Sequence, residues 1–260
     1  MRRAVRGSGV RHLFAMSSPL TIATHDGKFH ADEALACFML KRLPEYQSAN
    51  IVRTRDASLI EKAHIVVDVG AVYDPLSHRY DHHQSTFTQS MSSLMPGKDW
   101  KPIRLSSAGL IYYHFGKRVL SSILSCEEND DIVPVVFDRV YESFIREIDG
   151  IDNGVPIAQE TGYDIHTDLS SRVSFLAPKW NEQSSDEIMM QRFEEAMKLV
   201  GQELVDKVTY FGKVWWPVRS LVHNAIQNRS RYGYPVFVLF IITSLSYFAS
   251  ESTSQEKLWI

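Results

Sequence analysis

From Leu20 to Gly70 the chain alternates short apolar segments with amphipathic ones, and no other feature of the sequence constrains the fold as strongly. "LTIATH" reads as a strand, and "ADEALACFMLKRL" as a helix with Leu35, Phe38, Met39 and Leu43 at helical spacing, closed by Pro44. "ANIVRTR" reads as a second strand, "DASLIEKA" as a short helix, and "HIVVDVG" as a central strand whose β-branched run suits burial on both faces. This βαβαβ order predicts an α/β fold with a doubly wound parallel sheet, which binds ligands beyond the carboxyl ends of its strands. With 260 residues and 44% hydrophobic content, the chain is long enough to bury a real core, so disorder is not the default. A formal net charge of −3 argues against binding nucleic acid by bulk positive charge, although a local basic groove would survive that average.

The predicted strand ends carry the polar residues. After the first strand comes "THDGKFHADEALA", in which His25 closes the strand, Gly27 permits a tight turn, and His30, Asp32 and Glu33 crowd the start of the helix. Acids in a first helical turn complement the macrodipole, which accounts for Asp32 and Glu33 but not for the histidines. Asp68 ends the central strand, and "HRYDHHQ" places Asp81, His82 and His83 side by side soon after it. Alone, each has an ordinary explanation: a surface histidine, or an aspartate opening a turn before Gly70. Together, His25, His30, Asp32, Asp68 and His82 at neighbouring strand ends predict a metal site. Imidazole with carboxylate suits Mn²⁺, Fe²⁺ or Zn²⁺, whereas Mg²⁺ alone takes oxygen ligands.

A third cluster lies in "SFIREIDGIDNGVP". Val133, Phe137, Val140, Phe144 and Ile148 recur at helical spacing, so Asp149 and Asp152 fall three apart near a helix C-terminus. Acids there oppose the macrodipole, and a nearby cation would explain them. For Asp149 the reading is a ligand; for Asp152, ligand and Asp-Gly/Asn-Gly turn stand side by side.

Four ordered motifs, "THDGKFHADEALA", "VVDVG", "YDHHQ" and "IDGIDNG", resemble the DHH phosphoesterase superfamily. More narrowly they resemble the family of the melanocyte-proliferating gene product, described as metal-dependent 3′-5′ RNA exonucleases of mitochondria and nucleus. The resemblance runs from about Thr21 to Arg229. It implies two divalent ions, Mn²⁺ ahead of Mg²⁺, with His25 and His30 on one, Asp32, His82 and Asp149 on the other, and Asp68 bridging. It also implies that Asp81 orients an imidazole and that His83 faces the substrate phosphate. His30 stands where many DHH enzymes have an aspartate. RNA or another phosphodiester is the implied partner; a small-molecule phosphoesterase or pyrophosphatase, and an inactive regulatory binding protein, are the alternatives.

The expected organisation is a basic presequence-like segment over 1–17, a metal-binding catalytic domain over 18–150, an incomplete α/β substrate-binding region over 151–234, and an atypical apolar tail over 235–260. Arg2, Arg3, Arg6 and Arg11 without an acid suit mitochondrial import, with Met16 as an alternative start. "PVFVLFIITSLSYFA" is shorter than the roughly 20 residues that a membrane helix needs. Cys37 and Cys126 are too few for a disulfide framework and read as buried thiols of a reducing compartment. Lys28, Arg53, Arg104 and Arg172 are candidate phosphate contacts. Trp215, Trp216, Arg219, Arg229 and Arg231 form an aromatic and basic set, with packing the favoured role for the tryptophans. "QSTFTQSMSSLMPGKDWKP" reads equally as a substrate flap or a disordered connection, and His114 as structural.

Overall fold

The computed structural model describes residues 19–160 and 162–227, so the presequence-like segment, the apolar tail and Arg229 and Arg231 lie outside the described residues. Five strands form one sheet: β1 (Thr21–Thr24), β2 (Asn50–Arg53), β3 (Ile65–Val67), β4 (Tyr73–Asp74) and β5 (Arg79–Tyr80), in the order β2-β1-β3-β5-β4. β1 pairs in parallel with both neighbours, Ile22 lying opposite Ile51 and Ile65. Helices α1 (Ala31–Lys41) and α2 (Ala57–Lys62) make the two crossovers that parallel pairing requires.

The sequence reading of β1, α1, β2, α2 and β3 agrees with this order. Two features differ from it. The sheet is mixed rather than all-parallel, because β4 pairs antiparallel with β5 at the edge. "HRYDHHQ" therefore belongs to its own strand, β5, which lies parallel to β3 and delivers Asp81, His82 and His83 beside Asp68. Both of these strands have only two residues, too short for any period, and they are set by turn chemistry. The Asp74 carboxylate accepts from the Leu76 N–H, and His78 adopts the left-handed conformation at φ 54°.

Beyond the sheet lie α3 (Met91–Leu94), α4 (Ser107–Leu124), α5 (Ile132–Val140), α6 (Arg146–Asp152), α7 (Leu169–Leu176), α8 (Asp186–Thr209) and α9 (Trp216–Gln227). The expected second α/β region is helical in its described part, and no strand comes after β5 among the described residues. The reason lies in its periodicity: Phe193, Ala196, Met197, Val200, Leu204 and Val208 form the buried stripe of a single helix. That stripe joins the same core as Leu35 and Met39 of α1 and Leu110 of α4. α1 is buried along nearly its whole surface, Asp32 and Glu33 included, because its alanines allow packing on both sides.

The segment over 84–102 is an ordered, packed connection. Phe87, Met91 and Trp100 are buried, the Trp100 indole N–H donates to Glu142 at 2.9 Å, and Ser90 bridges to Arg104. Between α5 and α6 the helix widens to a π turn over Tyr141–Ile145, and a second π turn, Tyr210–Trp215, joins α8 to α9. Cys37 is buried, but Cys126 is only partly so; neither is in a disulfide. His114 hydrogen-bonds the Tyr73 hydroxyl at 2.9 Å, and burial lowers its pKa, as suits a structural imidazole. No helix of the described residues is long and apolar enough to cross a membrane.

Candidate metal centre

The carboxyl ends of β1, β3 and β5 lie side by side, and each ends in a potential metal donor: His25, Asp68 and the Asp81–His82–His83 run. Asp68 sits in the left-handed region at φ 57°, which aspartate tolerates better than most residues and which recurs where backbone strain serves a site. Gly70 at φ 93° and Ala71 at φ 52° continue the turn, and the Ala71 N–H donates to Asp81 Oδ2 at 2.6 Å.

Three groups of donors converge. His25, His30, Glu33 and Asp68 form one, Asp68, Asp81, His82 and His83 a second, and Asp32, His82 and Asp152 a third. His25 Nε2 lies 3.0 Å from Glu33 Oε1 and 3.4 Å from Asp68 Oδ2; His82 Nε2 lies 3.1 Å from Asp152 Oδ2 and 3.5 Å from Asp68 Oδ1. Cations bonded at about 2.1 Å hold adjacent donors roughly 3.0 Å apart in an octahedron and roughly 3.4 Å apart in a tetrahedron, so these spacings fit the edges of a coordination polyhedron. The His25 Nδ1–H donates to the Asp26 carbonyl at 2.9 Å, which turns Nε2 toward the carboxylates. His82 is buried, and although its Nε2 lies near two carboxylates, the angles make no hydrogen bond; neither of its ring nitrogens has a hydrogen-bond partner. Buried polar atoms left in this state are costly, and a cation between them removes the cost.

The charges point the same way. Burial opposes a charged imidazole, yet hydrogen bonding to the Asp68 and Glu33 carboxylates raises His25 to about 10. His82 likewise rises to about 10, burial being outweighed by Asp152 and Asp68. Burial pushes Asp68 up, but His25 and His82 outweigh it and hold its carboxyl well below the usual range. Asp32 is pushed well above that range by burial and by Asp152 and Asp68. The cluster thus demands positive charge, which protons or a metal can supply.

The N-terminus of α4 supports this cluster from behind. Asp32 Oδ1 accepts from the Ala108 N–H at 2.6 Å and Oδ2 from the Ser107 N–H at 3.1 Å. Asp149 Oδ1 accepts from the Ser106 N–H at 2.9 Å and its hydroxyl at 2.8 Å, leaving Oδ2 buried without a partner. Burial raises Asp149 to about 7. Gly109 is needed here because a Cβ would overlap the Asp149 carboxylate.

The structure therefore brings together His25, His30, Asp32, Asp68, Asp81, His82, His83 and Asp152. Asp149 lies outside the three donor groups, held on Ser106, while Asp152 one turn later joins Asp32 and His82. Asp81 orients an imidazole: its Oδ1 accepts from His83 Nδ1 at 2.7 Å, and His83 is raised chiefly by that bond. Sequence reasoning passed over Glu33, whose place in a first helical turn gave it a sufficient explanation. It also passed over Ser106 and Ser107, the latter meeting Asp32 across more than seventy residues of chain.

A cavity of about 720 Å³ opens on this cluster, lined among others by His25, Asp32, Asp68, His83 and Asp152. A neighbouring cleft of about 1070 Å³, lined by Lys28, Arg53, Lys179 and Trp180, shares Ser174 with it. Of the four basic candidates, Arg53 donates to the Gly27 carbonyl at 2.8 Å and stacks on Phe193, Arg172 pairs with Glu203 at 2.8 Å, and Arg104 is held by Asn153; Lys28 is exposed at the cleft. Arg55, paired with Asp26, lines the cavity itself. Trp215 and Trp216 are half-buried under Arg139 and Arg219, in packing roles.

A family model for MYG1 exonucleases, described as an uncharacterised protein family (UPF0160), matches residues 21–246. Among curated proteins, a MYG1 protein of Dictyostelium discoideum is 48% identical over 217 residues, 82% of this chain and 64% of that protein. A protein of Homo sapiens named MYG1 exonuclease is 47% identical over 216 residues, 82% of this chain and 57% of that protein. MYG1 protein YER156C of Saccharomyces cerevisiae is 36% identical over 216 residues, 80% of this chain and 62% of that protein. The chain thus spans about three-fifths of the length of these relatives. No solved structure gives a significant match.

Proposed function

The chain belongs to the MYG1 family (UPF0160), and on that premise we propose that it is a metal-dependent phosphodiesterase of the DHH type, acting as a 3′-5′ exonuclease on RNA. The observation that carries the proposal is the pair of imidazole–carboxylate donor sets sharing Asp68, with donor spacings that fit two cations. The name exonuclease, borne by several relatives, supports the reaction class.

In this reading His25, His30 and Asp68 would hold one ion, and Asp32, His82, Asp152 and Asp68 the other, with Asp149 a further donor through Oδ2. Mn²⁺ is preferred to Mg²⁺ because of the imidazoles. When bound, the ions lower the pKa of a water and offset charge on the phosphoryl oxygens. Asp81 accepts a hydrogen bond from the His83 Nδ1–H and favours the protonated ring, so that Nε2–H donates to a phosphate oxygen. Asp68, flanked by His25 and His82, keeps the two donor sets in register. The α4 N-terminus fixes Asp32 and Asp149 by hydrogen bonds, so the site needs little reorganisation. Residues 18–150 together with Asp152 supply this chemistry, and the remainder of 151–234 the substrate contacts; the adjoining clefts leave room for a chain longer than pyrophosphate. The Arg-rich segment over 1–17 directs a mitochondrial pool, with a second pool in the nucleus.

The test offers purified full chain with Mn²⁺ three substrates: 5′-labelled single-stranded RNA, the same sequence as DNA, and pyrophosphate. Stepwise shortening of RNA from its 3′ end is expected. Turnover of pyrophosphate alone would favour the small-molecule reading, and turnover of none would overturn the phosphodiesterase reading.

A further inference from the structure

We infer that Glu33 is a metal donor in its own right, completing a His25–His30–Glu33–Asp68 site; this rests on the metal-centre reading. Glu33 occupies the third position of α1, where its Oε1 accepts from the His30 N–H at 2.8 Å, the return half of a capping box. A capping box alone needs one oxygen at a solvent-facing helix end. Glu33 is fully buried, and its second oxygen, Oε2, is buried with no hydrogen-bond partner. An ionised carboxylate in that condition is among the costliest groups a fold can carry.

The surroundings indicate what completes it. Oε1 lies 3.0 Å from His25 Nε2, which in turn lies 3.4 Å from Asp68 Oδ2, and Oε2 lies 3.9 Å from His30 Nδ1. Two carboxylates and two imidazoles therefore surround one point at the end of β1. Asp32, next in sequence, serves the other donor set and already spends both oxygens on α4 N–H groups, whereas Glu33 spends one. Consecutive acids thus divide between two positions. The first carries two imidazoles and a carboxylate with a free oxygen.

Glu33→Gln separates a donor from a cap, because glutamine serves the capping box equally well but is a poor cation ligand. Metal-free full chain, wild type and E33Q, is titrated with Mn²⁺ against a competing chelator, with free Mn²⁺ read by electron paramagnetic resonance. Two equivalents are expected for wild type. In E33Q one class should weaken by about 10- to 100-fold while the other stays within about threefold, and the metal-free protein should keep the wild-type fold by circular dichroism. Equal weakening of both classes would reduce Glu33 to a diffuse charge, and unchanged binding would reduce it to a cap; either overturns the inference. Glu33→Asp, which keeps the charge but shortens the reach, should lose the same class and serves if E33Q does not fold. Wild type that binds no Mn²⁺ would instead sink the metal-centre reading.

Discussion

Replacing Gly109 by alanine should destabilise the protein, against the ordinary expectation for a helix. Alanine is favoured over glycine by about 1 kcal/mol within helices, so a Gly→Ala change in the first turn of α4 would normally help. Here the added methyl meets the Asp149 carboxylate, which is buried and held by two hydrogen bonds from Ser106. Weakening one hydrogen bond to a charged group costs about 1.5–3 kcal/mol, and overpacking adds about 1–3. Setting the helix gain of about 1 kcal/mol against these leaves a net loss of about 1.5–5 kcal/mol. That corresponds to a fall in melting temperature on the order of 10 °C for a chain of this size. The assay is thermal and urea unfolding of the metal-free full chain, in chelator at pH 8. It is repeated in an Asp149→Ala background, where the obstacle is gone and Gly109→Ala should cost at least about 1 kcal/mol less. A neutral or stabilising Gly109→Ala, or a cost that does not depend on Asp149, would refute the argument that this carboxylate packs against the helix end.

Three further outcomes are expected. In chelator, stability should fall as pH rises. Asp149, raised to about 7, contributes stability that is lost as pH climbs from the ordinary carboxylate value to that point, and His25 and His82 lose theirs between about 6.5 and 10; a flat or rising melting temperature from pH 6.5 to 9 would contradict these shifts. Asp81→Asn should retain bound Mn²⁺ but lose about 10- to 100-fold in turnover, since it removes the charge that holds His83 protonated; full activity on RNA would show that His83 needs no such partner. Phe193→Ala should cost about 3–5 kcal/mol in urea unfolding, because the ring is fully buried, edge-on to Phe29 at 5.8 Å and under Arg53 at 4.8 Å; a loss below about 1 kcal/mol would mean that α8 is not part of the core.

The elements that position the site were legible wherever the apolar period was long enough to be counted. β1, α1, β2, α2 and β3 have that length, so His25 and Asp68 could be placed at strand ends in advance. β4 and β5 do not, and Asp81, His82 and His83 read only as a polar run soon after β3 although they follow a strand of their own. The 84–102 connection hid its order because Phe87, Met91 and Trp100 anchor it at irregular spacing. Glu33 was concealed by a generic explanation that applied equally to its neighbour. The sequence favoured Asp149 over Asp152 as a ligand, whereas Asp152 joins the donor group; residues three apart on a helix share a face, and only the tertiary contact with Ser106 separates their roles.

The π turn over Tyr141–Ile145 sets the rotational phase of α6. Counted from Val133, the buried positions Phe137, Tyr141, Ile145 and Asp149 recur every fourth residue. On a regular α-helix, each such step overshoots a full turn by about 40°, and four of them would swing Asp149 roughly 160° away from the face that Val133 buries. Accommodating one extra residue in the wide turn takes back about 100° of that drift. The chain can therefore bury an apolar stripe upstream and present Asp149 and Asp152 inward downstream without breaking the helix. The wide turn therefore acts as one inserted residue: straightening it into ordinary helix at the same chain length would swing both carboxylates about 100° out of the centre, whereas deleting one residue within it would restore a regular helix and leave their phase unchanged.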